Sequence, residues 1–331
     1  MYKKAEMMFM VCESPLHAGT GSDLDFIDSP IQREKHTQFP KIEGSSLKGA
    51  MREHFRQFFT EKDNEKDNAK DMVAAFGPFR PNGDPGHGAL GFSDARLLLF
   101  PVKSMQGVFA WITCPRVLQR FQDDMRRLPG QEDFEIKDLP EVKVGEACIF
   151  GTAIAFCPNG KKEKGKIVLE EFDFTTNCDS AKSIKTKIKE DGLNTWLADT
   201  IYPNKEDKYW NTNLKENLVI LSDTDFADFV EYSTEVITRN RIDPETGVVE
   251  EGALFTEEYL PSDSVLYSLV LAQPEFKNGG CSADEILKIF TSKMEKGAST
   301  FRLGGNATIG KGVMRAILTT NSTENEESNG K

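Results

Sequence analysis

Between Leu16 and Arg52 the run LHAGTGSDLDFIDSPIQREKHTQFPKIEGSSLKGAMR crowds together His17, Asp23, Asp25, Asp28, Arg33, Lys35, His36, Lys48 and Arg52. Those residue types suit chemistry on a phosphodiester. RNA carries its own nucleophile, the 2′-hydroxyl, so its cleavage requires in-line backbone geometry plus one group that assists proton transfer or holds a divalent cation. A single loop carboxylate meets that need. By spacing alone Asp28 stands beside Asp23 and Asp25 as a candidate, against the ordinary alternative that loop aspartates cap turns. His17 and His36 have the pKa range of an acid and base pair, but their spacing does not bring them together. The preferred reading for His17 is stacking on, or hydrogen bonding to, RNA, with plain loop packing as the alternative. Arg33 and Lys35 would reach phosphates, unless both pair locally with Glu34 between them.

A second constellation lies near the carboxyl end, in FRLGGNATIGKG. Gly305, Gly310 and Lys311 nearly spell the phosphate-cradling loop of nucleotide hydrolases, but Gly312 stands where a magnesium-holding Ser or Thr is required, and no helix follows. A polynucleotide ligand keeps the same physics. Gly304, Gly305 and Gly310 let a sugar-phosphate backbone approach the main chain, while Arg302 and Lys311 supply charge. A structural strand-turn-strand is the competing reading.

These groups need elements to hold them. Residues 16–44 lack helical or alternating periodicity and read as a long loop carrying the catalytic candidates. The loop closes on a helix in EGSSLKGAMREHFRQFF, where Leu47, Met51, Phe55 and Phe58 share an apolar face. Ser45, Ser46 and Lys48 then sit at a helix N-terminus whose open N–H groups attract phosphate, with Arg52 one turn on. His54 shares the buried phase. A buried strand over residues 5–13 precedes the loop; strands over 91–100 and 107–113 follow, then a helix opened by Pro115 with Val117, Leu118, Phe121 and Met125 inward. That order suggests an α+β, ferredoxin-like unit resembling an RNA-recognition motif. Strands EACIFGTAIAFC and KIVLEEFDF, a helical stretch SAKSIKTKIKEDGLNTWLADTIY, a short strand ENLVILS and a capped helix DTDFADFVEYS fill the middle. TEVITRNRID and GVVEEGALFTEEYL flank the turn PETG as a long hairpin, with SVLYSLVLAQ paired to its end. A helix with a Ser282 and Glu285 capping box, a strand, the glycine-rich turn and a last strand complete a second alternating unit. His87 sits in a Gly/Pro-rich connector and reads as an exposed loop residue.

The 331 residues suffice for one large or two ordinary domains, and 38% hydrophobic with 28% charged residues describes a globular chain with no run long enough to span a bilayer. No signal-peptide cleavage site follows Lys3 and Lys4, so the cytoplasm is the expected location. Six cysteines show neither C-x-x-C pairs nor spacing matched to histidines, which argues for reduced thiols and against zinc. A net charge of −12 opposes nucleic acid unless positive charge is segregated. It is segregated in sequence. Residues 95–122 (Arg96, Lys103, Arg116, Arg120) and 296–323 (Lys296, Arg302, Lys311, Arg315) contain no acid, and residues 35–52 contain only Glu43. A basic channel on an acidic body is the expectation.

The run HAGTGSDLDFIDSPIQREKHTQFPKIEGSSLKGAMR resembles the signature of the RAMP proteins of CRISPR effector complexes. Its D-x-P-I-Q-R-E-K-H is similar to the backbone subunit of type III-B (Cmr) complexes. The likeness continues at GFSDARLLLFPVKSMQGVFAWITCPRVLQRF, RIDPETGVVEEGALFTEEYLP and FRLGGNATIGKG; Gln38 stands where a glycine is expected, and Asn306 and Ala307 are unusual in the glycine-rich run. The resemblance implies a single RAMP domain over residues 1–320, an α+β fold with a ferredoxin-like palm. Within it come the loop 16–44, an inserted segment 158–216, a thumb β-hairpin 236–262 and a glycine-rich strand-turn-strand 300–320, with 321–331 a disordered acidic tail. It implies a repeated subunit polymerising head to tail on guide CRISPR RNA, beside other Cmr subunits and away from membranes, that cuts the paired target RNA at regular intervals. In that family Asp28 matches the catalytic aspartate, working with a divalent cation, magnesium, and leaving a 2′,3′-cyclic phosphate and a 5′-hydroxyl. The thumb displaces one nucleotide pair per subunit, which permits in-line geometry. RNA contacts are then expected from His17, Arg33, Lys35, Ser45, Ser46, Lys48, Arg52, Arg239, Arg241, Arg302, Gly304, Gly305, Gly310 and Lys311. The alternatives are a non-catalytic RNA-binding scaffold, a guide-precursor-processing ribonuclease and a nucleotide hydrolase.

Overall fold

The computed structural model describes residues 4–21, 27–59, 65–78, 87–151, 153–156, 165–176, 184–186, 192–250 and 252–319. Asp23, Asp25, residues 158–164, 177–183 and 187–191 of the 158–216 insertion and the 321–331 tail lie outside the described residues. In chain order the elements are β1 (Lys4–Cys12), β2 (Lys41–Ile42), α1 (Gly44–Phe59), α2 (Glu65–Phe76), β3 (Leu90–Phe92), β4 (Ala95–Lys103), β5 (Phe109–Thr113), α3 (Pro115–Met125), β6 (Ile136–Lys137), β7 (Glu146–Ile149), β8 (Gly165–Leu169) and β9 (Phe172–Thr176). They continue as β10 (Lys185–Thr186), α4 (Leu193–Ile201), α5 (Lys208–Asn217), β11 (Leu218–Leu221), α6 (Asp223–Tyr232), β12 (Glu235–Arg239), β13 (Phe255–Tyr259), β14 (Val265–Ala272), α7 (Ala283–Lys293), β15 (Thr300–Arg302) and β16 (Val313–Leu318).

One large sheet runs β15-β16-β1-β14-β4-β5-β11-β7-β9-β8. β1 is its pivot, antiparallel to both β14 and β16. It is buried at every residue from Met7 to Cys12, as expected for a strand covered on both faces. Phe9 packs on Phe121 of α3 and Trp196 of α4. Elsewhere α1 and α7 meet through Phe55 stacked on Phe290 at 5.0 Å. Leu47, Met51 and Phe55 are fully buried, each contributing about 1.5–3 kcal/mol by removal from water. The local signals hold: Pro115 opens α3, whose Val117, Leu118, Phe121 and Met125 are inward. Ser282 and Glu285 form the capping box of α7, and Ser222 caps α6.

Four expectations are corrected. The chain does not fold as two successive alternating units, because the carboxyl-terminal strands β14 and β16 flank β1 and β14 separates it from β4. Strand β14 pairs with β1, β3 and β4 and not with the hairpin's end, since its nearly uninterrupted apolar sequence belongs in the sheet interior. The helix expected over residues 180–202 begins only at Leu193. Lys185–Thr186 form β10 against β6, and Gly192 sits at the extended N-cap. The regular hairpin is short: β12 and β13 pair over five residues, and the tip is closed by a single Ile242–Val249 bridge.

Candidate functional site

The site is built around β13. FTEEY sets three polar residues between two aromatics, and strand pleating sends Thr256 and Glu258 to one face and Phe255, Glu257 and Tyr259 to the other. One edge pairs with β12. The other takes the stretch after Ile27: Ser29 N donates to Thr256 O at 3.1 Å and Glu258 N donates to Ser29 O at 3.0 Å. An aperiodic loop thus becomes a parallel edge segment, with Ser29 opposite Glu257. The buried carboxylate of Glu258 locks the next residues. It accepts from Ile31 N at 2.9 Å, from Thr234 Oγ1 at 2.8 Å and from the Arg33 guanidinium. Arg33 also donates to the carbonyls of Gln38 and Val230. The local ion pair with Glu34 therefore does not form, and Arg33 spends its donors inside the protein; Lys35 stays exposed without an ion pair to a described residue.

Asp28 is exposed at the start of this segment. Its Oδ2 accepts from Thr256 N at 2.7 Å and Thr256 Oγ1 at 2.9 Å, while its own N–H donates to Thr256 Oγ1 at 3.0 Å. These bonds, the backbone one first, hold the carboxyl below its ordinary pKa and so keep it ionised.

His17 lies behind Ser29 and is only 8% exposed. Its Nδ1 is 2.7 Å from the Glu258 carbonyl, which assigns the proton to Nδ1. Nε2 then accepts from the Ser29 hydroxyl at 3.2 Å. The ring sits 5.5 Å from that of Tyr259. His17 therefore packs within the protein, and exposed His36 does not join it. The glycine-rich turn closes over it: Gly305 N donates to His17 O at 2.9 Å. A Cβ on Gly304 would lie 2.3 Å from that same carbonyl oxygen, and its φ is +81°, so this position requires glycine.

Across β13, Asn306 ties the turn to the hairpin. Its amide donates to Tyr259 OH at 2.9 Å and to Glu257, and its Oδ1 accepts from Arg239 at 2.9 Å. Arg239 also pairs with Glu257 at 2.7 Å. Burial would raise the Glu257 pKa, but donors from Arg239, Tyr259 and Asn306 outweigh it and lower it. Burial, then Glu257, pushes the Tyr259 phenol up to about 12. Lys311 lies 4.8 Å from the Tyr259 ring. Of the three departures from the family's pattern, Gln38 and Asn306 have left-handed φ, 59° and 63°. A glycine would sit there without strain.

On the far side of the turn a groove of about 750 Å³ runs between α1 and β15, lined among others by Ser46, Gly49, His54, Arg302 and Gly304. Arg302 donates to Ala307 O. Gly310 is exposed in the turn and Ser45 at the helix start. The helix N-terminus is less open than expected, because Asp94 accepts from Gly44 N at 2.9 Å. Lys48 donates to Leu90 O at 2.7 Å, and Arg52 donates to Pro78 O. Burial, then Arg52, lowers the Lys48 pKa. Both cations donate to main-chain carbonyls. Arg241 lies at the exposed hairpin tip, 3.4 Å from Glu250. His54 is structural, its Nε2 3.2 Å from Ala298 O.

The acid-free windows do not stay acid-free in space. Arg96 meets Asp124, Arg116 meets Asp223, and Arg315 meets Glu13 and Asp207. Lys103, Arg120, Arg302 and Lys311 keep no ion pair to a described residue, so the basic channel is narrower than the sequence suggests. Lys311 is followed by β16 and not by a helix, which removes the geometry of a nucleotide hydrolase. Sequence reading missed Thr256, Glu257, Glu258, Tyr259 and Asn306; two adjacent carboxylates inside a hairpin strand were the available signal.

Among the described residues no three His, Cys, Asp or Glu side chains converge on a metal position, so no all-protein cage exists there. Magnesium asks for less, one or two carboxylates completed by water and phosphate oxygens, and exposed Asp28 meets that requirement. The described cysteines Cys12, Cys114, Cys148 and Cys281 are free thiols, and no described helix is long and apolar enough to cross a membrane.

The RAMP superfamily model matches residues 9–315. The chain is 35% identical over 317 residues to the CRISPR system Cmr endoribonuclease Cmr4 of Pyrococcus furiosus, covering 95% of this chain and 96% of that one. It superposes on the crystal structure of oligomeric Cmr4 from Pyrococcus furiosus with a TM-score of 0.65 at 29% identity, covering 95% and 97% of the two chains. A subunit of a type III-B Cmr-beta complex bound to cognate target RNA shares the fold, with a TM-score of 0.69 at 21% identity over 97% and 99%.

Proposed function

The chain belongs to the RAMP superfamily, and from that premise we propose that it is the repeated backbone subunit of a type III-B CRISPR effector, binding guide RNA and cutting complementary target RNA. The observation that carries this reading is the junction at β13, where Asp28, the hairpin and the glycine-rich turn are held by one five-residue strand. The finer fold reading goes with it. Strands β16-β1-β14-β4, with α1 and α7 as crossovers, make a ferredoxin-like palm, and β12 and β13 make the base of the thumb.

The groove beside Arg302, Gly304 and Ser46 takes the guide backbone, with Ser45, Gly305, Gly310 and Lys311 at its margins. The hairpin, with Arg239 at the outer end of its regular ladder and Arg241 near its tip, meets the duplex and opens it beside Asp28. Of the other RNA contacts expected, Lys35 stays available, whereas His17, Arg33, Lys48 and Arg52 support the walls of the site. Asp28, kept ionised by Thr256, takes the proton of the 2′-hydroxyl as its oxygen bonds to phosphorus, while the strained backbone aligns the leaving 5′-oxygen, which takes a proton from water as its bond to phosphorus breaks. The products are a 2′,3′-cyclic phosphate and a 5′-hydroxyl. Asp28 is also the residue that would hold magnesium, which when bound supplies charge neutralisation at the scissile phosphate. Copies stack head to tail along the guide, next to other Cmr subunits, in the cytoplasm. A scaffold role without cutting is the second reading, favoured by the absence of any second catalytic side chain within bonding distance of Asp28 among the described residues.

Complexes reconstituted with Asp28→Ala separate the two. Assembly and target binding are expected to persist while internal cleavage stops, chelation is expected to stop the parent complex reversibly, and continued cutting by the variant refutes the role.

A further inference from the structure

The hydroxyl and main-chain N–H of Thr256 meet one oxygen of Asp28, and the same hydroxyl accepts from the Asp28 N–H. We infer that Thr256 is a positioning residue for Asp28, an inference that rests on the catalytic reading of that carboxylate.

Asp28 is exposed, and the side-chain hydrogen bonds it makes to other described residues all run to Thr256. Its neighbour Ser29 is fixed by main-chain bonds to Thr256 O and from Glu258 N, which sets the register and brings position 28 opposite the Thr256 side chain. Threonine in a strand has few allowed χ1 rotamers, so its hydroxyl is held where the backbone puts it. That hydroxyl acts in both directions at once, accepting at 3.0 Å from the main chain of Asp28 and donating at 2.9 Å to Oδ2. With the 2.7 Å bond from Thr256 N, both donors converge on Oδ2. Oδ1 accepts from no other described residue. The charged groups around this pair are engaged elsewhere: Glu257 with Arg239, and Glu258 with Arg33. Because Thr256 lies on the hairpin's return strand, the hairpin sets the orientation of the carboxylate.

The test uses the reconstituted guide-loaded complex cutting complementary RNA in single turnover, with subunits carrying Thr256→Val, Thr256→Ser and Asp28→Asn. Valine keeps the branched shape and the main-chain donor but removes the hydroxyl. The saturated cleavage rate is expected to fall about tenfold with Thr256→Val, the scale of one hydrogen bond to a charged group. Target affinity should stay within about twofold, and Thr256→Ser should recover most of the rate. Adding Thr256→Val to Asp28→Asn should slow cleavage no further. Wild-type rates with Thr256→Val overturn the inference. So does a serine variant as slow as the valine one, or an affinity lost in step with the rate, since a structural role would produce both. If Asp28→Asn cuts normally, the catalytic reading itself fails; if Asp28→Asn is inactive while Thr256→Val is unimpaired, only the positioning role fails.

Discussion

Replacing Glu258 by alanine tests whether the Asp28 segment is held by the hairpin or merely lies against it. Glu258 is 2% exposed, and its carboxylate accepts from Ile31 N, Thr234 Oγ1 and Arg33, whose side chain is 14% exposed. Removing it strands a guanidinium that is largely out of water, and breaking a buried pair in this way costs about 3–5 kcal/mol. At roughly 2–4 °C per kcal/mol for a chain of this size, the midpoint of thermal unfolding should fall by about 6–20 °C. The pair should be strongly coupled. Arg33→Met with Glu258→Leu should recover more than half of the loss, because the two charges then leave together. Circular-dichroism melts of the parent, Arg33→Met, Glu258→Leu and the double variant, with hydrogen exchange at residues 27–33 in Glu258→Ala, make the measurement. Additive losses with coupling below about 0.5 kcal/mol, or unchanged protection of residues 27–33 in Glu258→Ala, would refute the view that this carboxylate anchors the segment.

Two further outcomes follow from backbone conformation. Gly304→Ala should destabilise the turn by at least about 2 kcal/mol, because its Cβ meets the His17 carbonyl at 2.3 Å and φ is +81°; reduced guide retention on size-exclusion chromatography, together with a lower melting midpoint, checks it. Gln38→Gly should leave stability unchanged or raise it by up to about 1 kcal/mol, since φ of 59° is strained for glutamine while its own amide bond to Lys35 O is exposed, and urea midpoints would detect the change.

The loop 16–44 was legible as a site because it concentrates polar groups without periodicity, and the glycine-rich run because only glycine admits such close main-chain approach. Helices α1, α3, α6 and α7 were legible from apolar spacing and caps. What escaped was partnership. The acid-free stretch around Arg96 and Arg116 promised free positive charge, yet Asp124 and Asp223 supply the counterions from elsewhere in the chain. Lys48 and Arg52 read as a phosphate cradle by their place at a helix start, and instead cap carbonyls of Leu90 and Pro78.

By itself the amino-acid order determined the helices α1, α3, α6 and α7, the buried strand β1 and which family's pattern Asp28 completes, because periodicity, capping and motif spacing belong to contiguous residues. Only the tertiary structure decided that β14 lies between β1 and β4, and that Thr256, 228 positions away, grips the carboxylate of Asp28. Strand neighbours and buried ion partners are chosen by which surfaces exclude water together, and that choice is made across distances no local pattern records.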